Sequence, residues 1–418
     1  MAVRLFLGVW LAVVATAAAT HAGTQATPPP NGFKVIGHVN PGGGYSADVV
    51  GERHYAYLSS RRGAQDCPAQ GVRVYDLANP RHPRHIATFA RLAGTWTEKT
   101  IVRRVKTPGF NGVLAVTSFQ ACKDGFGGFG LFDVTKPAHP RKLALVRTQP
   151  RGSHEIWLAA ARGHAWVYTA EAAAEFALTR ESFGFHIYDV THPRSPDEVG
   201  GWSACRDQGD CTPLTSPPGT DHRRLVHSVI TNASATRAYL SYWWLGTVIL
   251  DISDPSKPRY LGRTASGQGN AHSAWLLNGE RILLETHETI RGRPVVWNIA
   301  DPAHPVRLAT VRLPARLAPD GVFTGLPLED SVHDPKAVGR YAYFSWYGQG
   351  AALFDLKNPR KPKFLMRFQP LPGRDRHGLL CPGDTCTAVW GVYVMPHYVL
   401  VSDLNSCLLY TSPSPRDS

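Results

Sequence analysis

The stretch Asp251-Ile-Ser-Asp-Pro255-Ser-Lys-Pro258 decides how the chain is organised, because it carries a turn that recurs along the sequence. An Asp side chain can accept hydrogen bonds from backbone N–H groups two residues further on. The two prolines hold φ near about −65° and cannot donate to a strand ladder. The stretch therefore predicts a turn that ends one β-strand and reverses the chain into the next.

The same spacing of prolines, four and seven residues after an Asp or Asn, occurs six times in all. The other five copies begin at Asp76, Asp133, Asp189, Asn298 and Asp355. Neighbouring copies are separated by 57, 56, 62, 47 and 57 residues. A repeat of this length predicts a repeat architecture in which a constant unit is joined by loops of variable length.

Each unit contains four short runs of β-branched and aromatic residues. In the clearest unit the runs are His227–Thr231, Ala238–Trp243, Thr247–Asp251 and Arg259–Thr264. Gly, Asn, Asp and Pro separate these runs, which is typical of antiparallel strands. Four such strands form one blade of a β-propeller.

Six complete units follow one another between residues 45 and 368. They run from about Tyr45 to Phe89, Thr97 to Thr148, Ser153 to Ala204, Val226 to Thr264, Ala271 to Leu313, and Val332 to Phe368. A seventh unit begins at Val389, and the strand Phe33–Val39 would supply its outer strand and close the ring. The sequence therefore predicts an all-β fold over residues 33–406: a seven-bladed β-propeller of four-stranded antiparallel blades, with the last blade incomplete and closed by the N-terminal strand.

The repeated unit, a Gly-then-aliphatic strand ending in Asp-Val/Ile-Ser/Thr-x-Pro-x-x-Pro, resembles the LVIVD-repeat family of exported β-propellers. The resemblance covers nearly all of residues 33–406. It implies the propeller fold and little about chemistry.

The end of the chain departs from that family pattern. After Ser406 the family would continue with Gly and an aliphatic strand, but residues 407–417 read Cys-Leu-Leu-Tyr-Thr-Ser-Pro-Ser-Pro-Arg-Asp. This string resembles translated sequencing-adapter sequence. We therefore expect residues 407–418 to be an artefactual tail, which would leave the last blade without its third strand. A genuine Ser/Pro-rich disordered terminus is the alternative.

The first residues predict export. Residues 1–22 combine a basic Arg4, an apolar run from Leu5 to Val14, and small residues ending at Ala22, as in a cleavable signal peptide. A membrane anchor is the alternative. Residues 23–32 form a polar linker, and no later stretch is apolar and long enough to span a bilayer. We expect a secreted or periplasmic protein with no transmembrane segment after signal removal.

The cysteines support the same compartment. The chain has seven, and six of them fall in places where the inferred fold would bring them together in pairs. The expected disulfides are Cys205 with Cys211, Cys381 with Cys386, and Cys67 with Cys122. Cys407 belongs to the unusual tail.

The formal charge of +13 could indicate nucleic-acid binding. However, the Lys and Arg residues are scattered and no recognition motif accompanies them, so the sequence favours a solvated basic rim.

The first functional hypothesis is an exported, monomeric propeller that binds a protein, peptide or glycan. The proline turns lie on one face, and the long irregular loops lie on the other, where binding is expected. The candidate ligand-binding residues are Trp243, Trp244, Trp346 and Trp390. The alternative is that such aromatic side chains fill gaps between blades.

The second hypothesis is a metal-dependent enzyme, with an oxidoreductase as the reaction class. Histidine recurs at the entrance to the first strand of four consecutive units. In the unit that begins at Thr97, Glu98 holds the corresponding position. The four are His154, His227, His272 and His333. Side chains related by the ring should converge, and neutral imidazoles bind one transition metal ion such as Zn, Cu or Fe. Glu98 would be a ligand or a proton acceptor.

Two further interpretations of the histidines stay open. They could hydrogen-bond the backbone of the next blade, or contact a ligand without a metal. By strand alternation, Glu285 and His287 are expected to be solvated. The sequence has no Gly-x-Ser-x-Gly elbow and no P-loop. It leaves open whether the protein is an enzyme.

Overall fold

We describe the protein from a computed structural model. The structure describes residues 33–40, 44–61, 69–122, 125–148, 152–171, 184–211, 224–265, 267, 269–289, 292–314, 331–375, 378, 381 and 384–412. The predicted signal peptide, the linker and Cys67 lie outside the described residues.

The described part of the chain begins with β1 (Lys34–Val39), and three antiparallel blades follow, of which the second has a short extra strand beside its four main strands. Blade one contains β2 (Tyr45–Glu52), β3 (Tyr55–Arg61), β4 (Val72–Asp76) and β5 (Arg84–Phe89). Blade two contains the short β6 (Thr95–Trp96), then β7 (Thr100–Thr107), β8 (Phe110–Ala121), β9 (Gly128–Asp133) and β10 (Arg141–Arg147). Blade three contains β11 (Glu155–Ala161), β12 (His164–Ala170), β13 (Phe185–Asp189) and β14 (Asp197–Trp202), followed by the short helix α1 (Ala204–Gln208).

Four further blades complete the ring. Blade four contains β15 (Val226–Thr231), β16 (Arg237–Tyr242), β17 (Gly246–Asp251) and β18 (Arg259–Arg263). Blade five contains β19 (Ala271–Leu277), β20 (Ile282–His287), β21 (Val295–Asn298) and β22 (Val306–Thr310). Blade six contains β23 (Pro335–Val338), β24 (Tyr341–Trp346), β25 (Gly350–Asp355) and β26 (Lys363–Phe368), and the small hairpin β27 (Gly373–Arg374) and β28 (Thr385–Cys386) follows it. Blade seven contains β29 (Val389–Val394), β30 (Val399–Asp403) and β31 (Cys407–Ser412), with β1 as its outer strand.

The prediction of a seven-bladed propeller closed by the N-terminal strand is confirmed, but the prediction of an incomplete last blade is wrong. Residues 407–412 form β31, which pairs with β30 on one side and β1 on the other. Side chains in this position, between β30 and β1, are buried: Leu408 and Thr411 are both 0% exposed. A β-compatible run after the turn at residues 404–406 is therefore enough to complete the sheet. The artefactual origin of this segment stays a prediction.

The proline turns have the predicted local structure. In all six copies the first Asp or Asn accepts a hydrogen bond from the backbone N–H two residues further on, at 2.7–3.0 Å. In three copies the same carboxylate also pairs with an Arg eight residues later, as Asp251 does with Arg259 at 2.7 Å. The Asp thus fixes the turn from both sides, and β-strands three and four of the blade leave it in opposite directions.

Two of the predicted disulfides are present, Cys205–Cys211 and Cys381–Cys386. Cys122 is also disulfide-bonded, while its predicted partner lies outside the described residues. In the described part of the chain, no helix has the length and apolar character needed to cross a membrane.

The first strand of each blade lines the central channel, and several of these strands are bulged near their starts. The register shifts between Ser46 and Val49 in β2, between Val226 and Ser228 in β15, and between Ala271 and Ala274 in β19. A bulge inserts a residue and re-aims side chains, so two consecutive positions can face the same side.

Candidate functional site

The four predicted histidines converge at the loop-bearing end of the channel. Their ring centroids form a continuous arc, with 4.4 Å from His154 to His227, 4.0 Å from His227 to His272, and 4.2 Å from His272 to His333. Trp390 extends the arc at 4.0 Å from His333. We call His154, His227, His272 and His333, together with Glu98 and Glu288, the histidine cluster.

The backbone of the next blade fixes two of these imidazoles. His227 Nδ1 lies 3.2 Å from the carbonyl oxygen of His272, and His272 Nδ1 lies 3.1 Å from that of His333. A carbonyl only accepts, so Nδ1 carries the hydrogen in both rings and Nε2 keeps its lone pair. The predicted hydrogen bonding to the next blade is therefore present. It also prepares Nε2 as a ligand atom, because metal-binding histidines usually donate their other ring N–H to such an acceptor.

His154 occupies the end of the arc near Glu98. Its Nε2 lies 2.9 Å from Nε2 of His227, and its Nδ1 lies 3.2 Å from a carboxylate oxygen of Glu98. Two imidazoles that bind one ion at about 2.0–2.1 Å, about a right angle apart, have nitrogens separated by about this distance. A hydrogen bond from His154 to the lone pair of His227 would have the same length.

Glu288 joins the cluster from the position directly after β20, and sequence reasoning considered it beside Glu285 and His287 without assigning it to the site. Its Oε2 lies 3.4 Å from His272 Nε2, and its Oε1 accepts a hydrogen bond from the Tyr347 hydroxyl. Tyr347 therefore orients the carboxylate towards the imidazole. Tyr347 has a φ of 20°, which is unusual for a bulky residue and places its ring beside the cluster.

The expectation that Glu285 and His287 are solvated is wrong. Their side chains are 0% and 2% exposed, and His287 Nε2 lies 3.2 Å from Glu285. Glu285 also accepts hydrogen bonds from Thr247, Thr264 and Trp297, which ties blades four and five together. The channel-facing residue is the next one along, Glu288, since β20 ends at His287 and strand alternation no longer applies.

Two groups of side chains have ligand atoms that all lie within 4.8 Å of one another among the described residues. One comprises His227, His272 and Glu288, and the other comprises His272, His333 and Asp334. Asp334 already accepts from Lys99 at 2.6 Å and from Ser273 at 2.5 Å. The second group therefore lacks a free carboxylate, and the first is the better candidate for binding a cation.

Burial keeps the imidazoles neutral. It lowers the pKa of His154 to about 3, and it lowers the pKa of His272 below its ordinary value. It also holds the pKa values of His227 and His333 well below that value, and the neighbouring imidazole of His272 adds to the effect. Neutral imidazole is the form that binds metals. Burial likewise raises the pKa of the Glu98 carboxyl well above its usual range.

Several buried polar atoms without a hydrogen-bond partner lie in or beside this cluster. Within the described residues they include both ring nitrogens of His333 and the indole N–H groups of Trp243 and Trp390. Buried polar groups are normally paired, so a group of unpaired ones indicates a place where a water, ion or ligand completes the contacts.

The predicted aromatic residues have different surroundings. Trp243 is half-buried and stacks on His227 with centroids 5.4 Å apart. Trp244 is half-buried and has a φ of 60°. Trp346 and Trp390 are only 1% and 3% exposed, so they pack inside the propeller and offer little surface to a large partner.

One position further along the first strands lies a layer of charges, which sequence reasoning did not foresee. Lys99 Nζ lies 3.1 Å from Asp48, 3.3 Å from Glu155 and 2.6 Å from Asp334. These four residues, from four blades, form what we call the ionic layer. Burial opposes its charge, but the Asp334, Asp48 and Glu155 carboxylates hold the pKa of Lys99 well above its usual range. The ionic layer therefore lies next to the histidine cluster and lines the cavity beyond it.

Comparison with known proteins defines the fold and leaves the family undefined. No model of a known protein family matches the sequence, and no curated protein matches it either. The resemblance to LVIVD-repeat propellers therefore stays a prediction.

Solved structures do match. One is the crystal structure of Raptor from Chaetomium thermophilum, with a TM-score of 0.59 and 12% identity over 92% of this chain and 29% of that chain. Another is the computationally designed protein Ika8, with a TM-score of 0.52 and 8% identity over 91% of this chain and 99% of that chain. At these identities the likeness shows the β-propeller fold alone. That fold supports ligand binding in general.

Proposed function

We propose that the protein is a transition-metal-dependent enzyme whose metal is held at the channel mouth by His227, His272 and Glu288. The observation that carries this proposal is the position of the His272 imidazole. Its Nδ1 is 3.1 Å from a backbone carbonyl and its Nε2 is 3.4 Å from Glu288. Donors made of two imidazoles and one carboxylate suit Zn, Fe or Cu.

The remaining members of the cluster leave room for chemistry. Three protein ligands leave an open position, as catalytic metal sites do. His154 and His333 adjoin the proposed ligands in the arc, and Glu98 lies beside His154, so their polar atoms could bind the ion as well or contact a molecule bound to it. Because neutral imidazoles suit the redox metals Cu and Fe, we propose an oxidoreductase as the reaction class. The disulfides support an exported protein, because these bonds persist in oxidising compartments.

Elemental analysis of protein prepared without a His tag tests the metal site. We expect about one Zn, Cu or Fe per chain, and loss of that ion in the His272→Ala variant. The control is His304→Ala, which removes an imidazole that is 82% exposed on the proline-turn face. An unaltered protein that binds no ion, or a His272→Ala variant that binds as much, would contradict the proposal.

A second measurement tests the reaction class. Copper- or iron-loaded protein should consume dioxygen when ascorbate is supplied as the electron donor, while zinc-loaded protein should not. If the loaded protein binds the metal but consumes dioxygen no faster than the His272→Ala variant, the site is a metal site without this redox activity.

A further inference from the structure

The channel contains a second feature beyond the ionic layer, a cavity of about 320 Å³. The first strands of the blades form its walls, with apolar side chains such as Val49, Ile101, Ile156 and Val229. This volume is at the small end of the range found for small-molecule pockets, about 300–1,000 Å³. The cavity is separated from the histidine cluster by Lys99 and its carboxylates, so it is a distinct site.

The carboxylates along this cavity are largely engaged. Asp334 binds Lys99 at 2.6 Å and Lys336 at 3.2 Å, and Glu155 lies 3.3 Å from Lys99. Burial also raises the pKa of Glu155 to about 8, which favours its neutral form. Lys99 and Lys336 therefore compensate most of the negative charge of the ionic layer.

Arg103, on the cavity wall, lacks such compensation. In the described part of the chain it has neither an ion pair nor a hydrogen bond, and its guanidinium lies 4.4 Å from the ring centroid of Trp157. It is half-buried, and desolvation lowers its pKa from the ordinary value. A guanidinium whose donors face a cavity with both apolar and charged walls can bind a carboxylate through two parallel hydrogen bonds.

The wall beside Arg103 continues with aromatic rings and a second cation. Trp157 contacts Trp275 edge to face at 5.9 Å, and the ammonium of Lys336 lies 4.9 Å from the centroid of Trp275. Positive charge and aromatic surface thus alternate along one side of the cavity. An anion with an apolar body would complement both.

We propose that this cavity binds a small organic anion, with its carboxylate on Arg103 and its apolar body between the aliphatic first strands. The competing ligand is an organic cation, because Glu52 lines the same cavity and Oδ1 of Asp48 has no hydrogen-bond partner in the described residues. The proposal does not depend on the metal site, and its test uses no metal-dependent readout.

Calorimetric titration of the full chain with benzoate, benzyl alcohol and benzylammonium tests this site, since the three probes differ mainly in charge. We expect benzoate to bind at least tenfold more tightly than the other two. The Arg103→Met variant should lose at least tenfold in benzoate affinity and keep its affinity for benzyl alcohol. The control is Arg147→Met, because Arg147 makes a similar cation–aromatic contact, at 4.8 Å from the Phe126 ring, outside the cavity lining.

Equal affinities for the three probes, tighter binding of benzylammonium, or an unchanged benzoate affinity in Arg103→Met would overturn the proposal. If Arg103→Met does not fold, Arg103→Lys serves instead, and its loss of the two-pronged contact should weaken benzoate binding severalfold. The two proposals can fail separately. A protein that binds benzoate but takes up no metal would support this site and contradict the metal proposal.

Discussion

The histidine cluster and the ionic layer occupy neighbouring positions along the channel, yet only the ionic layer has a central side chain with which its other members pair. In the ionic layer, Lys99 is surrounded by three carboxylates within 3.3 Å. In the histidine cluster, neither ring nitrogen of His333 has a hydrogen-bond partner in the described residues. The comparison teaches that two neighbouring positions of the repeat can form a self-paired ionic layer and a site with unpaired polar atoms, and that the pairing of side chains distinguishes them.

Removing the central charge of the ionic layer should have the largest effect on stability. In Lys99→Met, three buried carboxylates lose their shared partner, and we expect unfolding to become easier by about 3–5 kcal/mol. Denaturant titration of both proteins measures this change. The matched control is Lys142→Met on the exposed β10, which should change stability by less than about 0.5 kcal/mol. A loss below about 1 kcal/mol for Lys99→Met would show that the layer is not self-paired as described above.

The same comparison predicts a smaller and different effect in the histidine cluster. Tyr347→Phe removes the hydroxyl that orients Glu288, so metal affinity should fall about 10–100-fold while the fold is retained. Competition with a chelator of known affinity measures this change. Tyr343→Phe is the control, because its buried hydroxyl has no hydrogen-bond partner in the described residues. Equal metal affinity in Tyr347→Phe and the unaltered protein would remove Glu288 from the ligand set.

The smallest effect is expected on the opposite face, at a proline turn. Asp251→Asn should keep the turn, because Asn298 makes the same backbone hydrogen bond in blade five. It loses the ion pair with the exposed Arg259, at a cost of about 0.5 kcal/mol at neutral pH.

The pH dependence of that variant follows from the pKa of Asp251. Hydrogen bonds from Arg259 and the backbone of Ser253 lower this pKa from 3.8 to about 2. Because the pKa of Asp251 is lower in the folded state, the ionised carboxylate stabilises the fold at any pH above its pKa in the unfolded chain. This stabilisation is lost as the pH falls through the folded-state pKa of about 2. The stability difference between Asp251→Asn and the unaltered protein should therefore be constant above about pH 5 and vanish near pH 2. A difference that persists below pH 2 would point to a change in the turn itself.

The fold was largely predictable because its signals are local. Each proline turn is fixed by an Asp or Asn and the backbone two residues away, so six copies located the blades to within a few residues. The repeat also predicted the convergence of His154, His227, His272 and His333, since residues in the same phase of a ring face the same axis. The third strand of the last blade was missed because Leu408 and Thr411 follow no repeat pattern and are placed by the neighbouring strands.

The rest of the site depends on contacts between blades that no local pattern encodes. Glu288 lies one residue beyond β20, and its orientation is set by Tyr347, 59 positions further along the chain. Lys99 follows the predicted Glu98 directly, but its role appears only when Asp48, Glu155 and Asp334 are brought around it. The position of Glu288 just after a second strand, at the loop-bearing end, was the one available signal.

The central claim is that the histidine cluster binds a metal and the ionic layer does not. Anomalous X-ray diffraction from a crystal of the full chain, recorded at the absorption edge of the bound metal, locates that ion directly. We predict a single peak within about 2.0–2.2 Å of His272 Nε2 and close to His227 and Glu288. A peak among Asp48, Glu155 and Asp334, or no peak in the channel, would contradict it.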